Sequence, residues 1–147
     1  MILQATSFCN LNCDYCYLPD RQSKKVFNLD LIEPIFKNIF SSPLLKDNFA
    51  VCWHAGEPLA VPISFYEQAI AKINQVAEQY NHQNIHFDQD LQTNATLINQ
   101  AWCDLFIKHD FQLSVSLDGP DFIHDAHRKT RKGLGTHAGT MRGIKQL

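Results

Sequence analysis

Three cysteines crowd into eight positions near the amino terminus, as Cys9-x3-Cys13-x2-Cys16. A loop this short can aim three thiolates at one centre, and it offers no fourth sulfur in reach. Structural zinc normally takes four ligands, commonly from closely spaced cysteine pairs. A [4Fe–4S] cluster usually takes four cysteines. Three thiolates on a cubane leave one iron with an open site, which suits a cluster that binds a substrate or cofactor. Zinc completed by His54 or Cys52 is the competing assignment, and three buried structural cysteines the plain one. The amino terminus lacks a basic region followed by an apolar stretch, so no export signal is visible. A disulfide framework is therefore not expected of five cysteines, and the group reads as a metal or redox site in a cytoplasmic protein.

Three more polar constellations stand out. They are His54-Ala55-Gly56-Glu57-Pro58, Gln92-Thr93-Asn94, and Ser116-Leu117-Asp118-Gly119-Pro120. Each closes a segment that reads as a strand. Residues 1–8 read as a strand leading into the cysteine loop, 49–53 as a second, 85–92 as a third and 111–117 as a fourth. In the third, His86, Asp88, Asp90, Gln92 and Asn94 share one polar face. Helices fall between the strands. Asp30 with Glu33 forms a capping box before Leu31, Ile32, Ile35, Phe36, Ile39 and Phe40. Ser64 with Glu67 opens a helix whose stripe runs from Tyr66 through Ile70 and Ile73 to Tyr80. Thr96 caps a third helix with apolar pairs at 97/98, 101/102 and 105/106. A basic, glycine-punctuated loop then leads into the start of a fourth helix.

This β-α alternation predicts a parallel sheet with right-handed crossovers, and no internal domain boundary. In a βα barrel the active site is built at the carboxyl ends of the strands, where all four constellations lie. A sheet with one wet face is the alternative. The 147 residues, 45% hydrophobic and 19% charged, exclude a disordered chain. A net charge of −2 gives no global basic field for nucleic acid, and no apolar run approaches the roughly 20 residues needed to span a bilayer. The charge is uneven: residues 126–147 hold six basic side chains and no acid.

Taken together, the motifs resemble the radical S-adenosylmethionine (radical SAM) superfamily. Its C-x3-C-x2-C signature, with an aromatic before the last cysteine, appears as Cys9-Asn10-Leu11-Asn12-Cys13-Asp14-Tyr15-Cys16. Its G-G-E-P and Q-T-N-G motifs appear as Ala55-Gly56-Glu57-Pro58 and Gln92-Thr93-Asn94-Ala95. Its S-x-D-G-P and H-D-x-x-R motifs appear as Ser116 to Pro120 and His124-Asp125 with Arg128. Within the superfamily the chain is similar to SPASM-type peptide and protein maturases. These include anaerobic sulfatase-maturating enzymes and cyclophane-forming maturases of Gly-rich-repeat peptides.

The resemblance implies an α/β fold, a partial (β/α) barrel of the radical SAM type with about four βα units present of an expected six. Residues 1–147 would form the amino-terminal portion of a radical SAM core domain, with the carboxyl-terminal auxiliary-cluster domain absent from them. Cys9, Cys13 and Cys16 would ligate three irons of a [4Fe–4S] cluster. The open iron would chelate S-adenosyl-L-methionine. Reduction would yield a 5′-deoxyadenosyl radical that abstracts hydrogen from a ribosomally made peptide or protein. Gly56 and Glu57 would meet the cofactor's ammonium, Tyr15 its adenine, Asn94 and Ser116 its polar edges, and Arg128 its carboxylate. The implied partners are a peptide or protein substrate, an electron donor such as a flavodoxin or ferredoxin, and a second chain completing the barrel. Neither nucleic acid nor membrane is among them. A non-catalytic iron–sulfur or zinc-binding module is the alternative. Lys129, Arg131 and Lys132 read as a solvated basic loop or as a contact for an acidic stretch of substrate. Cys52 and Cys103 read as packing, and Ala95 is strained wherever its φ is positive.

Overall fold

A computed structural model describes all 147 residues. Strands β1 (Ile2–Leu3), β2 (Phe49–Trp53), β3 (Phe87–Thr93) and β4 (Phe111–Val115) form one parallel sheet in the order β1-β2-β3-β4. Helices α1 (Ile32–Phe40), α2 (Ile63–Tyr80) and α3 (Gln100–Lys108) make the crossovers. Two shorter helices, α4 (Asp121–His127) and α5 (His137–Gln146), follow β4. The register aligns Leu3, Trp53, Leu91 and Leu113 in one row across the sheet. All four motifs therefore leave the sheet at the same edge. No helix is long and apolar enough to cross a membrane.

Gln89, Leu91 and Thr93 of β3 are buried and Phe87 half-buried, while Asp88 stays exposed and Asp90 and Gln92 half-exposed on the other face. The core between sheet and helices is aromatic. Trp53 is fully buried and meets Tyr66 edge-on at 5.3 Å between ring centroids, and Tyr66 meets Trp102 at 5.6 Å. The Tyr66 hydroxyl donates to the Pro58 carbonyl at 2.8 Å, so α2 is fastened to the turn after β2. Buried hydroxyls need such a partner.

Several local expectations differ from the structure, most of them at helix starts. Asn28, not Asp30, caps the entry to α1, accepting from the Asp30 N–H through a short 3₁₀ turn at Leu29–Leu31. α2 starts directly after Pro62, with no side-chain cap and Ser64 inside its first turn. Asn99 caps α3 in place of Thr96. The first strand is only two residues long, because the chain turns off the sheet early and Thr6 bridges antiparallel to Val26. α4 was not foreseen at all; it begins at Asp121 after a turn made by Gly119 and Pro120. Cys103 is buried, with its thiol 3.4 Å from the Gln146 carbonyl, as packing requires.

α5 docks on the turn after β3. Thr140 donates its hydroxyl to the Asn94 carbonyl at 3.0 Å, and a Cβ on Gly143 would come within 2.0 Å of the Ala95 carbonyl oxygen. Gly139, on the same helix, has room for a methyl group, its nearest neighbour being 3.4 Å away. Gly143→Ala is therefore expected to destabilise the chain by about 1–3 kcal/mol. Gly139→Ala is expected to stabilise it by up to about 1 kcal/mol through helix propensity. Thermal unfolding of the two variants should move in opposite directions.

Candidate functional site

The cysteine loop lies over the carboxyl ends of the strands and is held there by backbone pairing. Asn12 N–H donates to the Lys129 carbonyl at 2.7 Å, Asp14 N–H to the His127 carbonyl at 3.2 Å, and Cys9 N–H to the Arg21 carbonyl at 3.1 Å. Leu11, nearly fully buried, forms a bridge with Thr130. Two arginines complete the hold. Arg21 donates to the Cys13 carbonyl at 3.0 Å. Arg131 donates to the Cys9 carbonyl from Nε at 3.1 Å and from Nη2 at 2.8 Å, and also bonds the Arg21 carbonyl. Arg131 thus clamps the loop from an exposed position, and nothing in its run of basic neighbours distinguishes it.

All three thiols are half-buried. Cys9 Sγ accepts from the Leu11 N–H at 3.4 Å and lies 4.0 Å from Asn94 Nδ2. Burial pushes the Cys9 thiol up to about 11, and the buried Glu57 adds to the rise. Burial also raises Cys13, against the pull of Arg128 and Arg21. No three His, Cys, Asp or Glu side chains converge on a point where one ion could sit. His54 lines the same cleft as the three thiols and Cys52 does not. The zinc assignment needs four ligands at one centre, whereas a cubane asks each sulfur to meet a different iron. The donor set fits the cluster: three separate thiols around one cleft, and cations beside them to balance thiolate charge.

Glu57 is the hub of the strand ends. It is 1% exposed, and both carboxylate oxygens are engaged. Oε1 accepts from the Leu59 N–H at 3.0 Å and the Thr93 hydroxyl at 2.7 Å, and Oε2 accepts from the Asn94 N–H at 2.9 Å. Its own N–H donates to the Phe8 carbonyl at 2.7 Å. Burial raises its pKa and the three donors oppose that rise. Both carboxylate oxygens thus meet the protein's own donors, and Glu57 lines the cleft beside Gly56. Gly56 sits at φ +64, where a Cβ would lie 2.3 Å from the Thr6 carbonyl oxygen. Ala55 and Ala95, the two alanines that replace motif glycines, have φ of 72 and 62. Left-handed alanine costs roughly 1–2 kcal/mol, so the anticipated strain at Ala95 is present and Ala55 shares it.

At the mouth of the cleft Arg128 Nε approaches Asp118 Oδ2 at 2.9 Å, and the Tyr15 hydroxyl donates to the same oxygen. The guanidinium carbon lies 5.5 Å from the centre of the Tyr15 ring. The Arg128–Asp118 contact is a charge pair with poor hydrogen-bond alignment, so Arg128 Nε is a buried donor without a partner. Burial works to raise Asp118, but Tyr15 and Arg128 outweigh it and leave Asp118 below the usual carboxylate range. Burial, then the bond to Asp118, pushes Tyr15 up. His124 and Asp125 serve as scaffold. The fully buried His124 accepts the Asp118 N–H on Nδ1 at 3.3 Å, which leaves Nε2 to donate to Thr136 Oγ1 at 3.1 Å. Thr136 in turn donates to the Arg128 carbonyl at 2.7 Å. Asp125 accepts the N–H groups of Thr136 and His137 and so starts α5. The Ser116 hydroxyl accepts from Gln92 Nε2 at 2.9 Å. One cleft of roughly 710 Å³, its open mouth included, is lined by Cys9, Cys13, Cys16, Tyr15, Gly56, Glu57, Asn94, Ser116 and Arg128 together.

The chain belongs to the radical SAM superfamily, whose family model matches residues 3–147. It is 58% identical over 147 residues to an uncharacterized protein of Synechocystis sp., covering 100% of this chain and 37% of that protein. It is 36% identical over 141 residues to the serine-type anaerobic sulfatase-maturating enzyme of Klebsiella aerogenes, covering 95% of this chain and 34% of that enzyme. The solved structure of native anSMEcpe with bound AdoMet and Cp18Cys peptide superposes with a TM-score of 0.79 at 28% identity, over 99% of this chain and 38% of that one. The chain spans well under half the length of these relatives. The four parallel βα units found here match the expected partial radical SAM barrel.

Glu57→Gln keeps the shape of the hub but turns an amide N–H₂ toward a donor. It should cost about 1–3 kcal/mol, read as a lower thermal midpoint. The thiol of Cys9 gives a second test. Its folded pKa lies above the ordinary value of 9.0, so the neutral thiol's contribution is whole below about pH 9 and is lost as pH rises toward 11. The metal-free chain should lose stability across that window, and Cys9→Ala should lose less. Anaerobic thermal melts of both under reducing conditions measure the difference.

Proposed function

We propose that residues 1–147 form the cluster-bearing amino-terminal part of a radical SAM core that modifies a peptide or protein side chain. The observation that carries this reading is the gathering of three unpaired thiols and the polar lining of Asn94, Ser116 and Arg128 in one cleft at the strand ends. Family membership and the maturating enzymes among the relatives support it. A [4Fe–4S] cluster on Cys9, Cys13 and Cys16, with S-adenosyl-L-methionine on its open iron, supplies one-electron cleavage of a sulfonium and hence hydrogen abstraction.

The chain's own residues bind, orient and exclude water. Cys9, Cys13 and Cys16 give up their protons to hold metal, which ties loading to pH. Arg21 and Arg131 fix the loop that presents them. Arg128 offers its unpartnered donor and its charge to a carboxylate entering the cleft, a task suited to a guanidinium fork. Asp118 holds Arg128 at the mouth until that partner arrives, and Tyr15 flanks both. Asn94 and Ser116 offer polar edges deeper in the cleft, while Glu57 keeps the strand ends in place. The substrate is a peptide or protein and the electron comes from a separate carrier.

Anaerobic iron–sulfide reconstitution tests the reading. About four irons per chain and an EPR signal that changes on adding S-adenosyl-L-methionine are expected, with loss of iron in Cys9→Ala, Cys13→Ala and Cys16→Ala. Bound zinc in place of iron, or a cluster spectrum indifferent to the cofactor, defeats it. Arg128→Gln should weaken the cofactor-induced EPR change by about tenfold or more in apparent affinity, in line with the loss of one charge-assisted contact, without lowering iron content.

A further inference from the structure

Three side chains close a ring between the cysteine loop and the turn after β3. Asn10 Nδ2 donates to Thr96 Oγ1 at 2.8 Å, and Thr96 Oγ1 donates to Asn94 Oδ1 at 2.7 Å. Asn94 Nδ2 donates to Asn10 Oδ1 at 2.9 Å and completes the circuit. Thr96 is free for this task because Asn99 caps α3. The Thr96 backbone N–H also reaches Asn94 Oδ1, at 3.0 Å. A backbone N–H can only donate, so the atom it meets is the amide oxygen, and the amide nitrogen must face the cysteine loop. That nitrogen carries two hydrogens. Asn10 takes one, and Cys9 Sγ lies 4.0 Å from the nitrogen in a direction that receives the other.

We propose that Asn10 and Thr96 are positioning residues that lock the Asn94 amide so that its second hydrogen is donated to the Cys9 sulfur, making Cys9 the electronically distinct member of the three ligands. The electronic consequence rests on the radical SAM reading; the ring itself does not. Leu11 N–H, the other donor to Cys9 Sγ, comes from the same loop at 3.4 Å, whereas Asn94 brings its donor from the end of β3. Cys13 is served differently, by the charges of Arg128 and Arg21. Hydrogen bonds to the sulfurs are one of the levers that set an iron–sulfur potential, and partners that orient such donors tune the site from outside it. Reduction adds negative charge, and a donor favours the more negative state. The locked amide therefore makes the site easier to reduce. Closure of the ring is what matters: an amide free to turn could present its oxygen to the sulfur, with the opposite effect.

The test compares Thr96→Val, which removes the hydroxyl at nearly constant shape, with Asn10→Ala and with Thr96→Ser, which keeps the hydroxyl. EPR-monitored redox titration of the reconstituted full chain, without S-adenosyl-L-methionine, reads the potential. Thr96→Val and Asn10→Ala should load as much iron as the wild type and lower the reduced-to-oxidised ratio at a fixed potential. The expected drop is about two- to tenfold, the range that one hydrogen bond supports, tenfold being about 59 mV in a one-electron couple. Thr96→Ser should restore the wild-type value. A merely structural ring would lower the thermal midpoint and leave the potential where it was. Unchanged potentials in both Thr96→Val and Asn10→Ala, or a Thr96→Ser that behaves like Thr96→Val, would overturn the proposal. A second arm needs no iron. In the NMR spectrum of the reduced, metal-free chain, Cys9→Ala should shift one Asn94 side-chain amide proton far more than the other, and Thr96→Val should shift both. Asn94 amide signals that stay in place in either variant defeat the ring as a positioning device. A wild-type chain that takes up no iron sinks the radical SAM reading instead, and the NMR arm still decides whether the amide is aimed at Cys9.

Discussion

A single buried carboxylate organises the working end of this fold. Glu57 leaves β2 and accepts hydrogen bonds from the turn that follows it, from Thr93 at the end of β3, and from the backbone of Asn94. Its backbone N–H reaches Phe8 at the base of the cysteine loop. Its own turn and the end of β3 are therefore fixed to its side chain, and the base of the cysteine loop to its backbone. A buried carboxylate left without donors would be costly, so each of those segments is obliged to keep its position. Backbone packing adds to the constraint, since Gly56 lets the carbonyls of Thr6 and Phe8 approach where no Cβ would fit.

The strained alanines follow from that constraint. Ala55 and Ala95 hold left-handed conformations on either side of the Glu57 hub. Alanine persists in such a conformation only where its surroundings over-determine it. At Ala95 they do: it is completely buried, its carbonyl lies against Gly143, and the adjacent Asn94 carbonyl receives the Thr140 hydroxyl. Strain near a functional cleft here has a definite mechanical source, the packing of α5 onto the turn after β3.

Strand order and the position of the cleft were legible because periodicity and motif placement report them directly. β2 is found at the expected residues, and β4 starts where the alternation of Phe111, Leu113 and Val115 begins. Cys9, Cys13, Cys16, Tyr15, Gly56, Glu57, Asn94, Ser116 and Arg128 all line one cleft, and Cys52 does not. Caps were misread because Ser, Thr, Asp and Asn look alike before a helix, and tertiary contacts decide which of them is free to cap. Thr96 is the clear case: its hydroxyl accepts from Asn10 Nδ2 and donates to Asn94 Oδ1, joining the cysteine loop to β3. The donors that Glu57 meets were not legible, because acidity suggests a cation and only the burial and hydrogen bonds show what its oxygens accept from. Arg131 was hidden in a basic run for the same reason: composition does not reveal direction.

The lopsided charge of the chain becomes intelligible once the site is assembled. A cleft ringed by thiols that must ionise, with a buried carboxylate beneath it, collects negative charge in a poorly solvated place. Such charge is tolerated only beside fixed cations. Residues 126–147 carry six basic side chains and no acid, and that segment packs across the cysteine loop. Arg128 pulls on the Cys13 thiol from the mouth, Arg131 grips the Cys9 carbonyl from behind, and Arg21 reaches Cys13 from the opposite strand of the loop. The motif histidine and aspartate between them make no direct claim on the thiols. They set the backbone of Arg128 and the start of α5, and so hold the guanidinium where thiolate charge develops. The stretch from Arg128 to Arg131 is then the electrostatic counterpart of the amino-terminal loop.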